Sequence, residues 1–149
     1  MTHVLRSKRG FTLIELLLTI VMITLMASVM IPVFIRFQYR DDIDVAASSL
    51  VTSFRRAQAL AASGELDSAW GVSVQSGKIY LYKGASYAAR DTTYDETYDI
   101  STAISATGVT EINYAQTTGV PSTSGTTTLT GVNSEQEVIT TNAKGIVNY

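Results

Sequence analysis

Residues 11–35 form an apolar run of 25 residues, broken by one charged side chain, Glu15. As a helix rising 1.5 Å per residue, the run reaches about 37 Å, enough to cross the hydrocarbon of a bilayer with some tilt. Few folds tolerate such a segment: it lies in lipid, among other apolar helices, or in the centre of a large core. A carboxylate within it costs ~2.5–3.5 kcal/mol at mid-membrane, and less near the edge, where Glu15 stands. A residue that costly is a functional candidate whose partner has to be found.

Arg6, Lys8 and Arg9 precede the run with no acid among them. The positive-inside bias keeps this leader cytoplasmic and sends the C-terminal part outward. An ordinary secretory signal has an apolar stretch of about 7–15 residues and then a small-x-small cleavage site. Here the stretch is longer, and the small residues Ala27 and Ser28 are followed by more apolar ones. A plain membrane anchor fits the length and flanks but leaves Glu15 unexplained.

The order Gly10-Phe11-Thr12-Leu13-Ile14-Glu15-Leu16, directly after the basic leader, resembles the class III signal of type IV pilins and pseudopilins position for position. The resemblance implies cleavage by a prepilin peptidase between Gly10 and Phe11 and N-methylation of Phe11. It also implies insertion in the bacterial inner membrane with the C-terminal domain in the periplasm. Contacts with an assembly platform, and a fibre whose apolar helices bundle at its centre, follow from the same likeness. Glycine at the cut has a steric sense, since a residue without Cβ lets a protease approach the backbone. Cleavage would create an α-amine on Phe11, a cation that the uncut chain lacks. Glu15 can meet that amine one turn away in its own chain or in a staggered neighbour; the intermolecular pair is the main expectation, because burying either charge alone is costly. Pro32, late in the run, removes one helical hydrogen bond and is the second assembly candidate. In the pilins it resembles, a proline here accompanies local unwinding in the fibre; a simple kink is the alternative.

Composition narrows the function further. Without the leader, eight basic side chains face thirteen acidic ones, so the formal charge is −5 instead of −2. There is no cysteine, and the one histidine, His3, lies in the leader. Disulfides and thiolate metal sites are therefore excluded, and the usual general base is missing from the mature chain. No catalytic, metal or cofactor site is expected, and the chain does not read as an enzyme. Cations are too few past Arg56 for an evident nucleic-acid patch. DNA-uptake pilins of the FimT group carry a basic Gly-Arg-x-Arg segment near the C-terminus; the matching place here reads Lys144-Gly145-Ile146-Val147, without arginine.

Four segments are expected: the leader (1–10), the membrane and assembly helix (11–35), an amphipathic helix (36–64) and a β-rich domain (65–149). Ile43, Ala47, Leu50, Phe54, Ala57 and Ala61 recur at helical spacing, and Ser63-Gly64 is a helix stop. From Ala69 the period becomes two: strands are expected over 69–75 and 78–83 around a Ser76-Gly77 hairpin turn, then over 98–105, 108–116, 126–131, 136–141 and 145–149. Residues 84–99, rich in tyrosine and acid, read as a surface loop, with Asp91, Asp95, Glu96 and Asp99 solvated instead of holding a cation, and Tyr87, Tyr94 and Tyr98 facing solvent. Residues 117–125 are a second loop. The fold class is α+β and pilin-like, a long N-terminal helix, transmembrane in its first half and amphipathic in its second, packed on a C-terminal antiparallel β-sheet domain. The Leu50–Leu60 helix segment, Trp70-Gly71-Val72, the 79–82 strand and the glycines near the end resemble FimT minor pilins and the GspH pseudopilins of type II secretion. A structural minor pilin and a GspH-like pseudopilin are thus the two functional readings.

Overall fold

The computed structural model describes residues 10–132 and 134–149; the leader before Gly10 lies outside the described residues. The chain divides into two compact units, one ending at Phe37 and one running from Gln38 to Tyr149. One helix, α1 (Leu13–Ala62), contributes to both, and Pro32 lies inside it without ending it.

Within the second unit the helical stripe is the core-forming face. Ile43, Ala47, Leu50, Phe54, Ala57 and Ala61 are all buried, joined by Ala46 and Val51. The four alanines let sheet residues approach the helix axis closely, and Leu50 and Phe54 supply the bulk. The helix ends where its stop signal stands: Gly64 donates to the Ala61 carbonyl (3.1 Å) with φ +70°, a left-handed conformation that favours glycine.

Eight strands follow: β1 (Trp70–Gln75), β2 (Lys78–Lys83), β3 (Asp91–Asp99), β4 (Ser105–Gly108), β5 (Glu111–Tyr114), β6 (Gly125–Thr130), β7 (Gln136–Thr141) and β8 (Val147–Asn148). They form two antiparallel four-stranded sheets, ordered β3-β2-β1-β5 and β4-β6-β7-β8. Trp70, Val72, Ile79, Leu81 and Ile112 of the first sheet and Leu129, Ile139 and Val147 of the second join the helix stripe in one apolar cluster. The expected antiparallel β domain is thus built from two sheets. A hydrophobic pattern of period two states which face is buried but not which strands pair, and β4 joins β6 across a gap of some twenty residues.

Three local expectations also change. Asp91–Asp99 is an edge strand, not a loop, paired Ile79↔Tyr98 and Leu81↔Glu96. An edge strand needs few apolar residues, and its threonines and tyrosines suit a pleated surface despite the acids. Tyr98 packs against the core instead of facing solvent. The strand expected over 98–105 is interrupted: Ile104 donates to the Ser101 carbonyl (3.0 Å), closing a turn, and pairing resumes only at Ser105. The 108–116 strand shortens to Glu111–Tyr114.

Phe54 is fully buried among both sheets' apolar residues. Phe54→Ala should destabilise the Gln38–Tyr149 unit by about 3–5 kcal/mol, measured by chemical denaturation, since a cavity remains where the ring was. A loss below about 1 kcal/mol would mean that the site collapses freely.

Candidate processing and assembly segment

Gly10 and Phe11 are exposed and precede the helix. An ideal Cβ at Gly10 meets nothing within 4 Å, so nothing in the fold requires glycine there. Helix α1 starts at Leu13, and Thr12 caps it: the Glu15 N–H lies 3.4 Å from Thr12 Oγ1 and 3.1 Å from its carbonyl, while Leu16 N–H donates to the same carbonyl at 3.2 Å. Thr12 and Glu15 thus stand three apart, as in a capping box, with the Glu15 carboxylate in the first turn near the positive end of the helix dipole. The Thr-x-x-Glu spacing carries this signal in the sequence, yet the charge argument alone does not reveal it.

Every residue from 10 to 37 is exposed, Phe11 at 81% and Leu13 at 79%. The run is long and apolar enough to cross a membrane, and the chain itself buries none of it. Three of its hydroxyls, beyond the first turn, bond back to the helix. Thr19 donates to the Leu16 carbonyl (2.8 Å), Thr24 to that of Val21 (2.9 Å), and Ser28 to that of Leu25 (2.8 Å). Such back-bonding leaves no free hydroxyl to penalise in hydrocarbon. Pro32 withdraws the donor that would serve the Ser28 carbonyl, the weakest link in the ladder. Gly10, Phe11, Glu15 and Pro32 are therefore neighbours along one segment, and within this single chain no contact joins them into a pocket.

The second unit holds two polar clusters that pattern reading misses. On the outer face of the first sheet, Tyr82 is buried and its hydroxyl lies 2.9 Å from Glu111 Oε1 and 2.6 Å from Asn113 Oδ1. The same Glu111 oxygen accepts the Tyr87 backbone N–H at 2.9 Å and the Asn113 amide at 3.1 Å. Arg90 stacks 3.8 Å from the Tyr87 ring and pairs with Asp95 at 2.9 Å. Together they fasten residues 84–90 onto the sheet; Tyr87 is held there instead of standing free. Across the core side, Arg56 of α1 grips Glu96 of β3 with two hydrogen bonds of 2.9 and 2.6 Å. With Lys78 3.4 Å from Asp99, three of the four β3 acids have cationic partners, and the solvated acidic loop is corrected to an ion-paired edge strand. These partners lie 5 to 40 residues apart, beyond the reach of any local pattern.

The clusters have a pH signature. Burial pushes Glu111 up, but the Tyr87 N–H, the Asn113 amide and the Tyr82 hydroxyl outweigh it, and its pKa is lowered. The Arg56 hydrogen bonds lower that of Glu96 against a smaller burial effect. A depressed folded-state pKa gives stability that is present above the unfolded value near 4.3 and lost as pH falls through the folded one. The melting temperature of the full chain in detergent should therefore drop below about pH 4, and more shallowly in Glu111→Gln. A flat wild-type profile from pH 5 to 3 would contradict this.

Residues 5–31 match the family model of the prokaryotic N-terminal methylation motif. No curated protein and no solved structure matches the chain. The motif implies processing by a prepilin peptidase and assembly with other pilin subunits, and an uncovered apolar helix fits anchoring in the inner membrane. Methylation motif first, then a long helix packed on antiparallel sheets: this order supports the superfamily of type IV pilins and pseudopilins.

Proposed function

We propose that the chain is a minor subunit of a type IV pilus or pilus-like fibre, cut between Gly10 and Phe11 and methylated on Phe11. It enters the inner membrane through its apolar helix, with the Gln38–Tyr149 unit in the periplasm, and joins the fibre through that helix. Glu15 neutralises the new amine of a neighbouring copy, and Pro32 allows the helix to adjust on packing. The observation that carries this reading is the methylation motif leading into an apolar stretch, 11–35, that the described residues leave uncovered. Such a surface needs lipid before assembly and other helices after it.

Mass spectrometry of the chain purified from membranes and from sheared fibres tests the reading. A start at N-methylated Phe11 is expected; fibre-bound chain that retains residues 1–10 would overturn it. A GspH-like pseudopilin of type II secretion is the second reading, favoured by the same assembly chemistry. Gene deletion separates the two: loss of surface fibres supports the pilus, and loss of exoprotein release supports secretion. DNA binding has little support, because Arg40, Arg56, Lys78 and Arg90 all lie beside carboxylates and Lys83 stacks on Tyr94.

A further inference from the structure

The two sheets differ in how their edges are protected. The outer edge of β5 is covered by its own chain: Ala115 N–H donates to the Val120 carbonyl (2.9 Å) and Ser122 N–H to the Asn113 carbonyl (2.7 Å). The β3 edge carries Asp91, Asp95, Glu96 and Asp99, and charge along an edge discourages another strand from docking. β8 is only two residues long. β4, reading Ser-Ala-Thr-Gly, has neither charge nor cover from another strand.

The register states which backbone groups that edge offers. β4 pairs Ser105↔Thr130 and Thr107↔Thr128. The Thr126 carbonyl accepts the Val109 N–H, and the carbonyls of Thr128 and Thr130 lie 3.5 Å from the hydroxyls of Thr107 and Ser105. Carbonyls 126, 128 and 130 therefore all face β4, so residues 105 and 107 direct their own backbone groups toward β6. Alternation along a strand then turns the N–H and C=O of Ala106 outward, away from β6. Beside them runs a groove of ≈ 280 Å³, lined by Val74, Gln75, Ser76, Thr102, Ile104, Ser105 and Ala106, to which no β6 residue contributes. Ile104 and Val74 belong to the core cluster, and the other lining residues are small or polar and uncharged.

We propose that the β4 edge is a strand-addition site for an extended, uncharged segment of a partner polypeptide. The segment pairs its backbone with the Ala106 N–H and C=O, as extended peptides do at open sheet edges. An apolar side chain enters the groove between Val74 and Ile104. Hydroxyl side chains on its other face continue the surface formed by Ser105, Thr107, Thr128 and Thr130. The occupant follows from the chemistry: a free donor and acceptor at strand spacing select an extended backbone, and the uncharged lining disfavours a charged one.

The test uses isotope-labelled full chain in detergent micelles. The probe is the blocked peptide Gly-Thr-Thr-Thr-Leu-Thr-Gly, the sequence of residues 125–131, which offers one leucine for the groove between hydroxyl side chains. Saturable binding is expected, with the Ala106 amide becoming at least tenfold more protected from hydrogen exchange and the Ser105 and Thr107 amides unchanged. Ala106→Pro should weaken binding at least tenfold, because it removes the outward donor without touching a β6 bond. Buried Trp70 fluorescence reports that the variant is folded; if it is not, the wild-type protection pattern alone decides. Absence of binding at millimolar peptide, equal binding by Ala106→Pro, or loss of protection in β6 through displacement would overturn the proposal. So would protection of the Ala106 amide that grows with protein concentration alone, since a second copy would then occupy the edge.

Discussion

Glu15→Ala is expected to be cut and inserted normally yet to enter fibres at least a hundredfold less well than wild type in direct competition. Two effects of Glu15 have to be separated. As the third residue of α1, it gives its backbone N–H to the Thr12 cap, and its carboxylate stands in the first turn near the positive helix end, at capping-box spacing. Caps are worth about 0.5–2 kcal/mol and dipole contacts about 0.3–1 kcal/mol. Breaking a desolvated ion pair from one side costs about 3–5 kcal/mol, because the partner's charge stays buried. A hundredfold defect needs about 2.8 kcal/mol, at 1.4 kcal/mol per tenfold: the ion pair exceeds this over its whole range, the cap and dipole together only at the top of theirs. Glu15→Gln distinguishes them, since glutamine serves a capping box but carries no charge. If the proposed pair with the Phe11 amine is what matters, Gln fails as Ala does. Wild-type incorporation of Gln, read by quantitative immunoblot of sheared fibres, would leave only the cap. Blocking the amine chemically in processed chain should reproduce the Ala defect.

How far the fold can be read from the sequence depends on the range of the interactions. The helical stripe from Ile43 to Ala61 is legible because its spacing is local and all six residues are buried. The Ser76-Gly77 hairpin is legible for the same reason: a two-residue turn fixes its own register, Gln75↔Lys78. Pairings across long gaps are not. Nothing in Ser-Ala-Thr-Gly announces that it joins residues 127–130 instead of continuing from Ile100. Asp91–Asp99 reads as a loop because its acids look solvated, whereas Arg56 and Arg90, 40 and 5 residues away, neutralise two of them. Tyr82 fits ordinary strand packing by alternation, but its hydroxyl network depends on Glu111 lying two strands across. In the candidate segment the opposite holds: Gly10, Phe11, Glu15 and Pro32 stand out because their proposed roles are tied to chain order, and the Thr12 cap is what the structure adds to them. Gln58 shows the remainder. Its amide bridges the carbonyls of Gly119 (3.1 Å) and Lys144 (2.9 Å), and a Cβ on Gly145 would sit 2.3 Å from it. The glycine that the sequence matches to a DNA-binding segment is favoured by its left-handed φ of +80°, whereas the flexible Gln58 tip beside it can move aside.

Gly10→Leu gives the second large effect. The expected product keeps residues 1–10, has no methylated Phe11, and is absent from fibres while still present in the membrane. Because a Cβ at position 10 meets nothing within 4 Å and the residue lies before the helix, the substitution leaves both units' folding untouched. Any loss therefore reports on the protease's access to the backbone, not on stability. Gly10→Ala adds the smallest possible obstruction and should be cut slowly, so that full-length and processed bands coexist on a gel. The two variants also test Glu15 from the other side. An uncut chain has no amine at Phe11, so Glu15 in the Leu variant lacks its proposed counter-charge even though its own carboxylate is intact. If uncut Gly10→Leu chains nevertheless polymerised as efficiently as wild type, neither cleavage nor the charge pair it creates would be needed for assembly. The apolar packing of the helices would then suffice by itself to set their register.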